Sequence, residues 1–247
     1  NGCIEKVYNF SIRKTILPID AILMAGGRGE RLRPLTDKVP KPMLKIGNKP
    51  IIEHNIDNLI LHGIDNYHIS VNYLAEQIED YFKDGEQKGV TISYIRENKP
   101  MGTIGSVSLV KEFKNDTVLV MNSDLFTNIN YEDFYQDFLE SGADMSVASI
   151  PYNISIPYAI LNLKDRFISS FEEKPSYTYY ANAGIYLIKK KILSKIPNDR
   201  LFHATDLLQS LINDGKKVIK YPIVGYWVDI GRHEDLNKVQ EFAKHLV

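Results

Sequence analysis

The chain is predicted to adopt an α/β fold, a parallel or mixed sheet covered by helices. Two observations carry this: short apolar runs alternate with amphipathic helical stretches, and glycines or acids follow the ends of several runs. The first run, Ile19 to Met24, ends in glycines, and Lys49 to His62 then carries Ile51, Ile52, Ile56, Leu59 and Ile60 on one helical face, a β-loop-α unit. Further strands are expected at His68 to Val71, Val90 to Ile95, Val118 to Met121 and Met145 to Ile150. Helical patterns lie near Leu74 to Phe82, Thr103 to Phe113 and Tyr131 to Leu139. Beyond Pro151 the rhythm turns β-rich, at Tyr158 to Leu163, Phe167 to Glu172 and Asn182 to Ile188, before helices at Ala204 to Ile212 and Glu234 to Leu246. No repeat or low-complexity linker interrupts the pattern. One domain over residues 18–247 is therefore expected, with 1–17 as an extension or linker; a split near Pro151 is the weaker alternative.

Composition bounds the function. A chain of 247 residues with 44% hydrophobic content can build a real core. A net charge of −1 gives no global reason to bind nucleic acid or an anionic membrane, so any basic site is local. The single Cys3 cannot form an internal disulfide, and no apolar stretch approaches a membrane span or a signal peptide, which fits a reducing cytoplasm. The start at Asn1 reads as a piece cut from something longer.

The loop after the first strand, "LMAGGRGERLRPLTDKVPKPM", combines backbone freedom with positive charge. Gly26, Gly27 and Gly29 let backbone N–H groups approach a phosphate, although an ordinary tight turn would use glycine equally well. The spacing is neither that of a P-loop nor the G-x-G-x-x-G of dinucleotide binders. Arg28, Arg31, Arg33, Lys38 and Lys41 share the loop and repel one another unless a polyanion sits among them, and a triphosphate is the economical candidate. Pro34, Pro40 and Pro42 stiffen the loop. Asp124 ends the buried-type run "VLVMNSD", where a carboxylate can hold a metal or make an Asx turn, and "WVDIG" supplies a second strand-end acid, Asp229. No histidine shows metal-ligand spacing.

The stretch "AGGRGERLRPLTDKVPKPMLKIGNKPIIE" resembles the signature of the sugar-1-phosphate nucleotidyltransferases. The likeness continues in the family's order through "PMGTIGSV", "MNSDLF", "FEEKP", "NAGIYLI" and "WVDIG". It implies a Rossmann-like three-layer α/β/α sandwich with a mixed, mostly parallel central sheet, the nucleotide-diphospho-sugar transferase fold. It also implies condensation of a nucleoside triphosphate with a sugar 1-phosphate to a nucleotide sugar and pyrophosphate. By the same resemblance Ala25 and the loop glycines bind nucleotide, Arg31 takes the β,γ-phosphates, Lys41 the α-phosphate and Lys174 the acceptor phosphate, while Asp124 and Asp229 hold Mg²⁺. Glu173, Asn182 and Gly184 fall on sugar-side positions, as does Tyr158, whose neighbour Ala159 departs from the glycine usual there. Such chemistry asks for charge neutralisation and in-line alignment, with no nucleophilic side chain and no general base.

In "ENKPMGTIGSV", backbone near Met101 and Gly102 is placed to read a base edge while Thr103 or Ser106 caps a helix, and the Gly-Thr-x-Gly resembles guanylyl- and some cytidylyltransferases, which favours GTP, then CTP, then UTP or dTTP. The end soon after the final helix, without an appended β-helix, points the same way. Relatives with a short catalytic module sometimes carry cystathionine-β-synthase-type regulatory domains in front, and "IEKVYNFSIRKTILPID" is expected to join such a part; a homo-oligomer is compatible. The rival readings are a non-catalytic nucleotide-sugar sensor, disfavoured because Arg31, Lys41 and both acids are kept, and a dinucleotide-binding oxidoreductase, disfavoured by the glycine spacing. A transferase making a cofactor-linked nucleotide would lack the long Arg/Pro/Lys loop.

Overall fold

The computed structural model describes residues 16–244. The proposed junction to a regulatory part lies almost wholly outside them. Leu17, read from sequence as extension, is buried and donates its N–H to the carbonyl of His62 at 3.1 Å, so the folded unit starts at or before it.

The strands are β1 (Ile19–Met24), the two-residue β2 (Lys45–Ile46) and β3 (Lys49–Pro50), β4 (Asn66–Val71), β5 (Thr91–Arg96), β6 (Thr117–Asn122), β7 (Leu125–Thr127), β8 (Met145–Ser155), β9 (Ile160–Lys164), β10 (Phe167–Glu172), β11 (Ser176–Lys189), β12 (Val218–Pro222) and β13 (Trp227–Asp229). The helices are α1 (Ile51–Leu61), α2 (Ala75–Phe82), α3 (Tyr131–Ser141), α4 (Ala204–Asn213) and α5 (His233–Ala243). Seven strands form the central sheet in the order β12-β8-β11-β6-β1-β4-β5, with only β11 reversed.

Period-two alternation in β1 splits the core into two faces. Ile19, Ala21 and Leu23 join the layer covered by Ile52 and Ile56 of α1, Ile78 of α2 and Phe134 and Phe138 of α3. Ile22 points the other way, into the layer of Ile104, Val107, Ile192 and Leu207. The result is a three-layer sandwich. A satellite cluster of Leu32, Ile46, Phe126, Ile230 and Leu236 seats the arginine-rich loop against α5.

Two departures from the sequence reading bear on the site. The stretch Thr103 to Phe113 is no α-helix: it contains one short 3-10 segment, Gly105–Leu109. Long-range bonds override its helical spacing, since the carbonyl of Phe202 accepts from the N–H groups of both Ile104 and Gly105. Thr103 does cap a helix, but a distant one: its hydroxyl accepts from the N–H of Ala204 at 2.9 Å, in the first turn of α4. The second departure is β8 and β11, which pair well past the sheet as far as Ser155 and Ser176.

A cation ties the helical layer together. Lys88 donates to Glu53 at 2.6 Å and to Asp57 at 2.7 Å, Tyr81 donates to Glu53, and Lys49 to Asp57. Burial disfavours the charge on Glu53 and Asp57, but these bonds outweigh it and hold both carboxyls below the usual range. Carboxyls depressed in the fold contribute stability above their unfolded pKa, and that stability is lost as pH falls through the depressed folded values. Lys88→Met should therefore cost about 2 kcal/mol at neutral pH. Urea denaturation across pH should show the difference from the parent shrinking below roughly pH 4.

Candidate active site

Four adjacent parallel strands, β6, β1, β4 and β5, end at one rim, and the residues just beyond each strand end form the site. β1 gives Ala25 to Arg28, β4 gives Asn72, β5 gives Glu97, and β6 ends at Asn122 ahead of Ser123 and Asp124. With Lys41, Pro42 and residues 100–103 they line a cavity of about 380 Å³. The strand order reverses beside β1, where open α/β sheets place their ligand crevices.

The cavity wall is set by close backbone approaches. Gly102 sits at φ +79°, and a Cβ there would lie 2.5 Å from the carbonyl oxygen of Phe202. Only glycine can therefore make this turn. Gly29, at φ +63°, does not line the cavity: a Cβ on it would come within 2.9 Å of the Lys41 Cβ, so this glycine makes room for the lysine. Gly26 and Gly27 do face the cavity, and Ala25 is fixed by its N–H to the carbonyl of Ser70 at 2.8 Å.

The charged centre lies at one end. Lys41 is buried, and its Nζ pairs closely with Asp124 Oδ2 and stands 3.7 Å from Asp229 Oδ1. Asp124 Oδ1 is buried without a hydrogen-bond partner. Burial, then the charge of Asp124, pushes the Asp229 carboxyl above the usual range, against the pull of Lys41 and Arg31. Arg31 packs its guanidinium on Gly231, two residues past Asp229; a Cβ on that glycine would lie 3.2 Å from Nη2. Two acids, one with an orphaned oxygen, suit a hard divalent cation that takes its remaining ligands from phosphate and water. Among the described residues no cluster of three or more His, Cys, Asp or Glu side chains could hold a metal by itself.

Glu97 has no signal in the sequence beyond its place after a strand. Its carboxylate accepts from Ser70 Oγ at 2.5 Å and from the N–H of Met101 at 3.2 Å, which fixes it in the cavity wall. Asn72, bonded to the Glu97 carbonyl at 2.8 Å, escapes a sequence reading for the same reason. Polar residues after adjacent parallel strands are the pattern that could have found both.

The sugar-side residues divide. Gly184 lies against the cavity residue Asn122, with its ideal Cβ position 2.7 Å from Nδ2, and Asn182 accepts from the Gly184 N–H at 2.9 Å. Tyr158, Glu173 and Lys174 do not reach this cavity. The extended β8–β11 ladder carries them out on an arm, where Tyr158 is 74% exposed and Lys174 stands 4.0 Å from Glu173.

This sheet, with its crevice at the strand ends, is that of the doubly wound α/β proteins. The chain belongs to the nucleotidyl transferase family, whose model matches residues 20–245, and its fold is the nucleotide-diphospho-sugar transferase fold. It is 30% identical over 235 residues to a UTP–glucose-1-phosphate uridylyltransferase of Synechocystis sp., covering 87% of this chain and 61% of the relative. It is 30% identical over 227 residues to a mannose-1-phosphate guanylyltransferase of Mycobacterium tuberculosis, covering 88% and 62%. The chain thus spans about three fifths of the length of these curated relatives. The crystal structure of HddC from Yersinia pseudotuberculosis complexed with GMP-PN matches with a TM-score of 0.70 and 27% identity, over 90% of this chain and 98% of that one. Among the described residues no helix is long and apolar enough to cross a membrane.

Proposed function

We propose that this chain transfers a nucleotidyl group from a nucleoside triphosphate, GTP by preference, to a sugar 1-phosphate. The observation that carries the reading is the convergence of Lys41, Asp124 and Asp229 at the end of a glycine-walled cavity. A phosphate oxygen of the sugar 1-phosphate attacks the α-phosphorus, the bond from that phosphorus to the α,β-bridging oxygen breaks, and pyrophosphate departs with the electron pair. Both reactants are anionic, so alignment and neutralisation supply the catalysis.

Lys41 offers its ammonium to the α-phosphate, and Arg31 with the N–H groups of Gly26 and Gly27 takes the β,γ-phosphates. Asp124 and Asp229 would hold Mg²⁺, which would supply charge neutralisation to the phosphoryl oxygens. Asn182 and Gly184 border the sugar, and Tyr158, Glu173 and Lys174, which stand outside the nucleotide cavity, meet the acceptor on its arm side. The cytoplasmic setting suggested by the lone Cys3 belongs to this proposal as well.

Glu97 supports the choice of base. Guanine alone among the common bases presents two adjacent donors, N1–H and N2–H₂, to a carboxylate. Uracil and thymine place one N–H between two carbonyls, which a carboxylate repels. The names of the relatives include both uridylyl- and guanylyltransferases, and HddC is seen with GMP-PN. Pyrophosphate release should be measured with each of GTP, CTP, UTP and dTTP, with and without glucose, mannose and heptose 1-phosphates. Release that needs both a triphosphate and a sugar phosphate, fastest with GTP, is expected. Release from no pair would sink the activity, and a preference for UTP or dTTP would sink the base assignment alone.

A further inference from the structure

Between Tyr152 and Tyr180 the chain leaves the sheet as two ribbons, the outer halves of β8 and β11 and the β9–β10 hairpin. Of the 21 large hydrophobic side chains exposed among the described residues, 11 lie in this arm. They are ordered. Tyr152 stands opposite Tyr179 and Ile154 opposite Tyr177, so these four share one face of the first ribbon. Leu161 stands opposite Phe171 and Leu163 opposite Ile168, which gives the second ribbon an apolar face of its own. The middle of each reverse face carries a polar pair, Thr178 donating to Asn153 at 2.8 Å and Asn162 to Ser170 at 3.0 Å, with Tyr180 and Phe167 at the ends of these faces. Such alternation marks strands with one buried face. Yet the eight apolar side chains are 37–65% exposed.

We propose that a second copy of this chain covers the arm, so that the arms of two protomers pack on each other across a two-fold axis. Area is the first argument. Eight half-exposed large side chains on the two ribbons together leave on the order of 1,000 Å² of surface, close to one partner's share of a standard interface.

Charge is the second. Lys164, Asp165 and Arg166 make the hairpin turn net positive, while Glu172 makes the far end of β10 negative. The two ends of this six-residue strand are about 20 Å apart. Two arms related by a two-fold axis perpendicular to their strands run antiparallel and set each positive end against the partner's negative end. A self-complementary patch is what an isologous interface requires. The β9–β10 ribbon is a separate two-stranded sheet whose outer edges lack strand partners among the described residues, which an assembly would protect. The inference is independent of the reaction proposed above.

Sedimentation velocity on this chain from about 0.1 to 100 μM should show a species of twice the 28.3 kDa chain mass. The double variant Ile168→Lys, Phe171→Glu should raise the dimer dissociation constant at least about 100-fold, whereas Ile212→Lys, at an exposed position of α4, should not. Hydrogen exchange on the unmodified chain keeps the test open if the double variant misfolds: amides of β9 and β10 should lose protection on dilution. A monomer at every concentration, a dimer that survives the double substitution in a folded protein, or protection unchanged as a dimer dissociates would each overturn the proposal.

Discussion

Asp124→Asn should lower kcat by about 10³-fold or more while leaving the fold intact, a loss of about 4 kcal/mol of transition-state stabilisation. The substitution keeps the volume of the side chain and removes its charge. Lys41 then keeps only Asp229, 3.7 Å away, and the orphaned Oδ1 no longer belongs to an anion able to bind a cation. Asp229→Asn should act in the same direction. Its carboxyl already carries a cost of ionisation in the free protein from burial and from Asp124, which a bound divalent ion would relieve. Mg²⁺ should therefore raise the melting temperature of the parent and do so less in either variant. The measurements are steady-state turnover with saturating Mg²⁺ and thermal unfolding with and without it. Near-parental turnover in either variant would remove the two-acid assignment, and a collapsed melting temperature without added metal would show that the acids serve the fold instead.

Glu97→Gln should turn the base preference rather than the rate. The ratio of kcat/KM for GTP to that for UTP should fall by about 10²-fold, near 3 kcal/mol, because the amide repeats one acceptor and replaces the other with a donor. That pair matches the N–H and adjacent carbonyl of uracil and mismatches the two donors of guanine. Glutamine also keeps an oxygen for Ser70 or for the Met101 N–H, so the wall of the cavity should survive. Competition between triphosphates in one reaction reads the ratio directly. An equal loss with all of them would show Glu97 to be a structural strut and leave base choice to the backbone around Met101 and Gly102.

The amino-acid sequence by itself determined the sheet and the chemistry of its loops. β1 and β10 fall where the apolar runs place them, and α1 and α3 lie within a few residues of the expected ranges, because burial on one face leaves a period that needs no knowledge of the rest of the chain. The glycine loop, Lys41, Asp124 and Asp229 stand out for another reason: glycines, clustered cations and strand-end acids are conspicuous by residue type, and the roles expected of them come from the resemblance to the sugar-1-phosphate nucleotidyltransferases. The tertiary structure alone decided who meets whom. Lys41 and Asp124 are 83 residues apart in the chain, and only the juxtaposition of the arginine-rich loop with the end of β6 makes them a pair. Glu97 became a base-reading candidate because β5 lies beside β4, which puts the Ser70 hydroxyl against its carboxylate. The Thr103 to Phe113 stretch has helical spacing but obeys the carbonyl of Phe202, a bond across about a hundred residues that local propensity cannot register. In the arm the sequence shows alternation, and therefore that one face is to be covered. The partner that covers it depends on where the β8–β11 ladder carries that face, since periodicity records burial and tertiary geometry chooses the neighbour.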